Sequence, residues 1–140
     1  MLKHQHLIVR SEVYKPPRSS EAILKWVKEL VPKIKMKLMG EPQVFYCDKE
    51  GNRGATCAAI IETSHIVMHV WDEPFPALIQ LDVYSCSDLH EDIIFEHFKQ
   101  FEPKKISKKF LDRENGLIDK PLLDEYTKII QGKMENKRGV

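Results

Sequence analysis

The stretch Glu62-Thr63-Ser64-His65-Ile66-Val67-Met68-His69-Val70-Trp71-Asp72-Glu73 decides how this chain is read. From His65 to Trp71 it alternates. Ile66, Met68 and Val70 fall on one side of an extended strand, and His65, Val67, His69 and Trp71 on the other. The stretch from Ala77 to Cys86 repeats the pattern, with Ile79, Leu81 and Val83 opposed to Gln80, Asp82, Tyr84 and Cys86. Two neighbouring strands thus pair an apolar face with a face of reactive groups. That is the pattern of an antiparallel sheet covered on one side.

The flanking sequence supplies the rest of the sheet and its cover. His4 to Tyr14 holds Leu7, Ile8, Val9 and Val13, a first strand. Lys15-Pro16-Pro17 ends it, because proline donates no ladder bond. Ser19 or Ser20 then caps a helix with an apolar stripe at Ile23, Leu24, Val27, Leu30, Val31 and Ile34. Pro32 kinks or ends that helix early. A short strand over Val44 to Cys47, a turn over residues 48–52 and a buried strand over Ala55 to Ile61 follow. Asp88 to Phe101 carries Leu89, Ile93, Ile94, Phe98 and Phe101 at helical spacing, with Ser87 or Asp88 as cap. Lys104 to Asp112 is a further strand, and Pro121 to Met134 a last amphipathic helix before a frayed tail from Glu135 to Val140. The order β-α-β-β-β-β-α-β-α predicts a two-layer α+β sandwich, an antiparallel sheet with helices packed on one face. The other face is solvated or an interface.

Composition narrows the class. The chain has 140 residues, with 22 Lys+Arg against 21 Asp+Glu, a net charge of +1. That length predicts one domain, 1–140, and the balanced charge exerts no general pull on nucleic acid or an anionic membrane. No apolar run reaches the ~18–20 residues of a membrane span. Three cysteines, Cys47, Cys57 and Cys86, make neither an even set nor a CxxC pair, which points to a reducing cytoplasm with free thiols. Cys47 and Cys57 read as packing residues, and Met36 and Met39 as fillers of core or helix-end gaps. Lys104-Lys105 and Lys108-Lys109 read as a solvated strand edge. Asp82 reads as a structural carboxylate holding a donor on the polar sheet face.

The reactive face is where chemistry is expected. Residues 62–73 hold two hydroxyls, two imidazoles, an indole and three carboxylates, with Cys86 at the end of the next strand. Ser64, His69 and Cys86 are read as a set on one sheet face. His65 and His69 stand roughly 13 Å apart along a strand, too far to share one metal, and no Cys/His spacing fits zinc. No metal site is expected.

Taken together, Ser64-His65, His69-x-Trp71-x-Glu73 and Leu81-Asp82-Val83-Tyr84-Ser85-Cys86 resemble the short prokaryotic type of pyruvoyl-dependent S-adenosylmethionine decarboxylases. His6-Leu7-Ile8-Val9 is similar to that family's opening strand, and Gly54-Ala55-Thr56 stands where it has Gly-x-Ser. The resemblance spans roughly residues 4–102. It implies a self-processing proenzyme. The Ser64 hydroxyl attacks the Thr63 carbonyl, and elimination parts chains 1–63 and 64–140, leaving a pyruvoyl group at Ser64. That group forms a Schiff base with the substrate amine and serves as electron sink. By position Thr56 stabilises the processing oxyanion, His69 takes the serine α-proton and Cys86 reprotonates the substrate carbanion. His6, His65, Trp71 and Glu73 fall at substrate-binding positions, Glu73 toward substrate hydroxyls. A homodimer with pockets between subunits is implied, and a product used for spermidine and other polyamines.

The sequence departs from the family in places. Thr63 stands where the family has glutamate, Ser87 where it has glycine, and the link from Trp71 to Cys86 is two residues longer through Pro74-Phe75-Pro76, a loop expected near the substrate. These departures leave open two other readings. One is a non-processing homologue that binds a nucleoside-like ligand or a partner subunit. The other is the same chemistry on arginine or ornithine.

Overall fold

A computed structural model describes residues 2–119. The expected helix over 121–134 and the tail beyond it lie outside the described residues.

Seven strands form one antiparallel sheet: β1 (Gln5–Val13), β2 (Gln43–Cys47), β3 (Gly54–Ile61), β4 (Ser64–Trp71), β5 (Ala77–Ser85), β6 (Pro103–Asp112) and β7 (Ile118–Asp119). Their order across the sheet is β2-β3-β4-β5-β1-β6-β7. The first strand of the chain is therefore inserted between β5 and β6. Its alternation explains the place: Leu7, Val9 and Val13 are buried, while Ile8 is 41% exposed on the other face. In register with it, Leu81, Val83 and Phe110 continue the buried rows.

Helices α1 (Ser20–Lys33) and α2 (Glu91–Phe98) cover this buried face, α2 running into a single 3-10 turn over Lys99–Phe101. This is the expected α+β sandwich. Ser19 caps α1 by accepting from the Ala22 N–H at 3.1 Å, and the helix ends one residue past Pro32. Ile23, Trp26, Val27, Leu30 and Val31 are its buried side chains, Trp26 packing against His97, Phe98 and Phe101. Burying side chains of this size stabilises by roughly 1.5–3 kcal/mol each.

The second helix differs from its expected span and cap. It starts at Glu91, and its N-cap position is His90, with no side-chain cap bond. Ser87 is engaged elsewhere: its N–H donates to Ser85 Oγ at 3.0 Å. The Leu89 N–H goes to Gln5 Oε1 at 2.8 Å, so a β1 side chain holds the chain extended up to the helix. Two further expectations are corrected. Met39 fills no gap but is 64% exposed, whereas Met36 is buried. Lys108 is not on a solvated edge. It lies on the helix side, its ammonium paired with Glu91 and 5.3 Å from the Phe95 ring centroid, with both ionic side chains largely covered.

Candidate active site

The candidate residues fall into three groups along the sheet, the second and third of them on the face turned away from α1 and α2. The first is at the β3–β4 turn. Ile61 pairs with Ser64, so Glu62 and Thr63 alone join the two strands. Ser64 has φ +147°, a region that costs a residue with a Cβ on the order of 1–3 kcal/mol. The Thr63 carbonyl accepts from the Cys86 N–H at 2.8 Å, and the Lys3 N–H in turn donates to the Cys86 carbonyl at 2.9 Å. The Thr63 hydroxyl donates to Met36 Sδ at 3.2 Å. The strained Thr63–Ser64 link is thus held by its carbonyl against the end of β5.

The second group lies one row further along the sheet, where His6, Tyr84 and His65 are in register across β1, β5 and β4. His6 Nε2 is 2.5 Å from Asp82 Oδ1, and His65 Nε2 is 3.4 Å from the same oxygen. Asp82 thus holds a side-chain donor on the polar sheet face, as expected, and it faces a second imidazole as well. The Tyr84 hydroxyl is 2.8 Å from His4 Nδ1. The Arg113 guanidinium stands 4.2 Å over the Tyr84 ring, with Nη1 3.2 Å from His6 Nδ1.

The third group is at the far end. Thr56 Oγ1 and His69 Nδ1 are 2.9 Å apart, set opposite each other by the β3–β4 register. The Trp71 ring lies 5.9 Å from His69, and its N–H donates to Asn52 Oδ1 at 2.8 Å. Glu73 turns to the β2–β3 turn, taking Arg53 Nη1 at 2.6 Å and the Gly51 N–H at 2.8 Å. Gly54 permits the close approach here. A Cβ on it would stand 1.7 Å from the Val70 carbonyl oxygen, and its φ is +155°.

The structure therefore joins some expected site residues and parts others. Cys86 meets the Thr63–Ser64 link through the Thr63 carbonyl, Thr56 and His69 meet directly, and His6 and His65 meet through Asp82. Ser64 and His69 do not meet. Five residues along one strand separate them by roughly 16 Å. An odd spacing also places Ser64 at the parity of the buried Ile66, Met68 and Val70, so the expected set on one face is corrected. Phe75 is 77% exposed and packs against Tyr14 at 5.8 Å. The longer 74–76 loop is thus beside the Glu73 end, away from Ser64. Cys57 is buried, which pushes its thiol up to about 11 and fits a packing role. Cys86 is half-buried, and so is Cys47, whose sulfur lies 3.7 Å from Asn52 Nδ2.

Sequence reasoning missed Tyr84, Arg113 and His4 as members of the site. Strand alternation had placed Tyr84 on the right face. Nothing in the sequence pointed to Arg113, which arrives only because Asp112 is in register with Gln5.

Comparison with known proteins fits this geometry. A family model described as S-adenosylmethionine decarboxylase matches residues 6–114, a span that takes in Ser64, His65, His69, Asp82, Cys86 and Arg113. No curated protein matches the sequence. Among solved structures, the adenosylmethionine decarboxylase from Aquifex aeolicus VF5 is similar in fold, with TM-score 0.68 and 21% identity over 84% of this chain and 93% of that one. No helix among the described residues is long and apolar enough to cross a membrane.

Proposed function

The chain belongs to the S-adenosylmethionine decarboxylase family, and from that membership we propose that it is a proenzyme that cuts itself between Thr63 and Ser64 and works as a homodimer. The reaction is loss of carbon dioxide from S-adenosylmethionine, and the product supplies polyamine synthesis in the cytoplasm.

The observation that carries the self-processing is the strained Ser64 backbone beside a Thr63 carbonyl held by the Cys86 N–H. Ser64 Oγ attacks that carbonyl carbon, and the amide becomes an ester. Removal of the Ser64 α-proton expels the Thr63 carboxylate. Water then replaces the nitrogen, which leaves as ammonia, and the new terminus at Ser64 is a pyruvoyl group. The Cys86 amide is a donor placed where negative charge grows in the first step. The residues fit this group: a serine at the end of a two-residue turn, with a thiol-bearing residue bonded to its neighbour. Once formed, the pyruvoyl carbonyl supplies an electron sink for the pair left behind by carbon dioxide. Cys86 then returns a proton to the substrate carbon, and His6 and His65 orient the substrate from the adjacent row.

Thr56 and His69 take part from the partner subunit. Their distance from Ser64 in one chain supports this, because proton transfer needs hydrogen-bond reach. Exposed Ile8, Phe45 and Ile60 on the same sheet face supply apolar surface for a second copy to cover. Trp71 and Glu73, in the His69 group, come to the substrate with it.

Intact mass spectrometry of the purified protein tests the reading. The expected result is two fragments parted between Thr63 and Ser64, the second blocked by pyruvoyl, with Ser64→Ala remaining whole and releasing no carbon dioxide. A single 16.4 kDa chain from the unaltered sequence overturns it and favours a ligand-binding homologue. Release of carbon dioxide from arginine or ornithine, with none from S-adenosylmethionine, would reassign the substrate.

A further inference from the structure

His6 on β1, Asp82 on β5 and His65 on β4 converge on one point of the open sheet face, their three ligand atoms all within 4.8 Å of one another. We propose that this triad is a binding site for a borderline divalent cation of the zinc class. Two imidazoles and a carboxylate form a donor set that zinc, cobalt and nickel accept, whereas magnesium and calcium prefer oxygen alone.

The geometry is close to a coordination shell. Ligands at ~2.1 Å in a tetrahedral shell stand roughly 3.4 Å from each other. Here the carboxylate oxygen lies 2.5 Å from one imidazole nitrogen and 3.4 Å from the other. No pair in the set exceeds 4.8 Å, so the three atoms already lie around the spacing a shared ion needs. The three residues project from adjacent, hydrogen-bonded strands, so their backbones are spaced before any ion arrives. The side chains of His6, His65 and Asp82 are 13%, 41% and 42% exposed, which leaves an ion an entry path and a fourth position for water.

Arg113 opposes the ion. A guanidinium only donates, so Arg113 Nη1 beside His6 Nδ1 places the neutral ring's proton on Nε2, toward Asp82. A cation bound at Nε2 requires that proton to leave Nε2 and the ring to carry one on Nδ1, where it faces Arg113. Neutral His6 thus changes tautomer with no net proton release. Binding therefore has to displace Arg113 and overcome its positive charge. His65 directly follows Ser64, so occupancy of the triad competes with any substrate that needs free imidazoles there.

The test uses the Ser64→Ala chain, in which cleavage and catalysis play no part, so its outcome is separate from that of the decarboxylase reading. Cobalt(II) is titrated while its visible absorption is followed, and zinc(II) is titrated by calorimetry. The expected result is one equivalent per chain with tetrahedral cobalt bands. Affinity falls roughly tenfold or more in His65→Gln and in Asp82→Asn, and rises in Arg113→Met. Each variant is first checked for an unchanged far-UV spectrum. Zinc in hundredfold excess over its dissociation constant raises the melting temperature by several degrees, and this rise disappears in His65→Gln. Absence of cobalt bands overturns the proposal. So does binding that His65→Gln and Asp82→Asn leave unchanged, because the metal is then held by other groups such as the three cysteines.

Discussion

Ser64 has a backbone shape that glycine would adopt more readily, yet a hydroxyl is what the proposed cut requires. Function and stability therefore oppose each other at one position. Ser64→Gly should melt higher than Ser64→Ala, by about 1 kcal/mol in a denaturant titration, while both remain uncut. Equal stability would mean that the positive φ stores no strain. Cys86 separates two roles in the same way. Its backbone N–H holds the Thr63 carbonyl, and its thiol is free for the later proton transfer. Cys86→Ala should still yield two fragments by mass, with carbon dioxide release lowered about 10²–10⁴-fold.

The elements show what was legible in the sequence and what was not. The alternation in β4 and β5 was readable because burial of Ile66, Met68, Ile79 and Leu81 on one side forces it. Both faces of the sheet followed, and with them His65, His69 and Tyr84. Contacts made by register were not readable. Asp82 bridging His6 and His65, and Arg113 meeting His6, depend on which strands are neighbours, and the insertion of β1 between β5 and β6 leaves no local signature. Lys108 was misread because a run of lysines looks solvated, although β-alternation turns this one under α2. The start of α2 was missed because its entry is held by Gln5, which is distant in sequence.

Two predictions belong to the elements. Gly54→Ala should push β3 off β4, costing on the order of 3 kcal/mol, and should show as a lowered melting temperature. His97 ties α2 to α1: its Nε2–H donates to the Trp26 carbonyl at 2.9 Å, the Trp26 indole N–H returns a bond to the His97 carbonyl at 3.1 Å, and the rings stack at 4.7 Å. Burial holds the His97 imidazole below its ordinary value, and the Lys33 charge adds to this against the Trp26 bond. The folded state thus prefers the neutral ring. This contribution to stability is complete above the unfolded value near 6.5 and is lost as pH falls through it toward the lower folded value. The melting temperature should drop as pH is lowered below about 6.5, and His97→Gln should flatten that part of the profile.

For the whole molecule, the separation of Ser64 from His69 makes complementation the decisive measurement. Ser64→Ala chains retain His69, and His69→Ala chains retain Ser64. If active sites are shared, co-expression should restore activity that neither variant has, to about a quarter of the normal level for random pairing of a two-fold dimer. No recovery would place both residues in one chain's site and sink the shared arrangement.

The position of β1 has a consequence for the proposed cut between Thr63 and Ser64. Residues before Ser64 form β1, β2 and β3, and those after it form β4 to β7. In the sheet order β2-β3-β4-β5-β1-β6-β7 the two pieces do not sit side by side but interleave. The earlier piece threads its first strand between two strands of the later one, and its third strand remains paired with β4. Three seams, β3 with β4, β5 with β1 and β1 with β6, would hold the pieces together after the proposed cut. Scission here would release a chemical end without releasing a part. The halves should therefore migrate as one species in a native gel and come apart only in denaturant, and neither half refolded alone should recover the β1 seams.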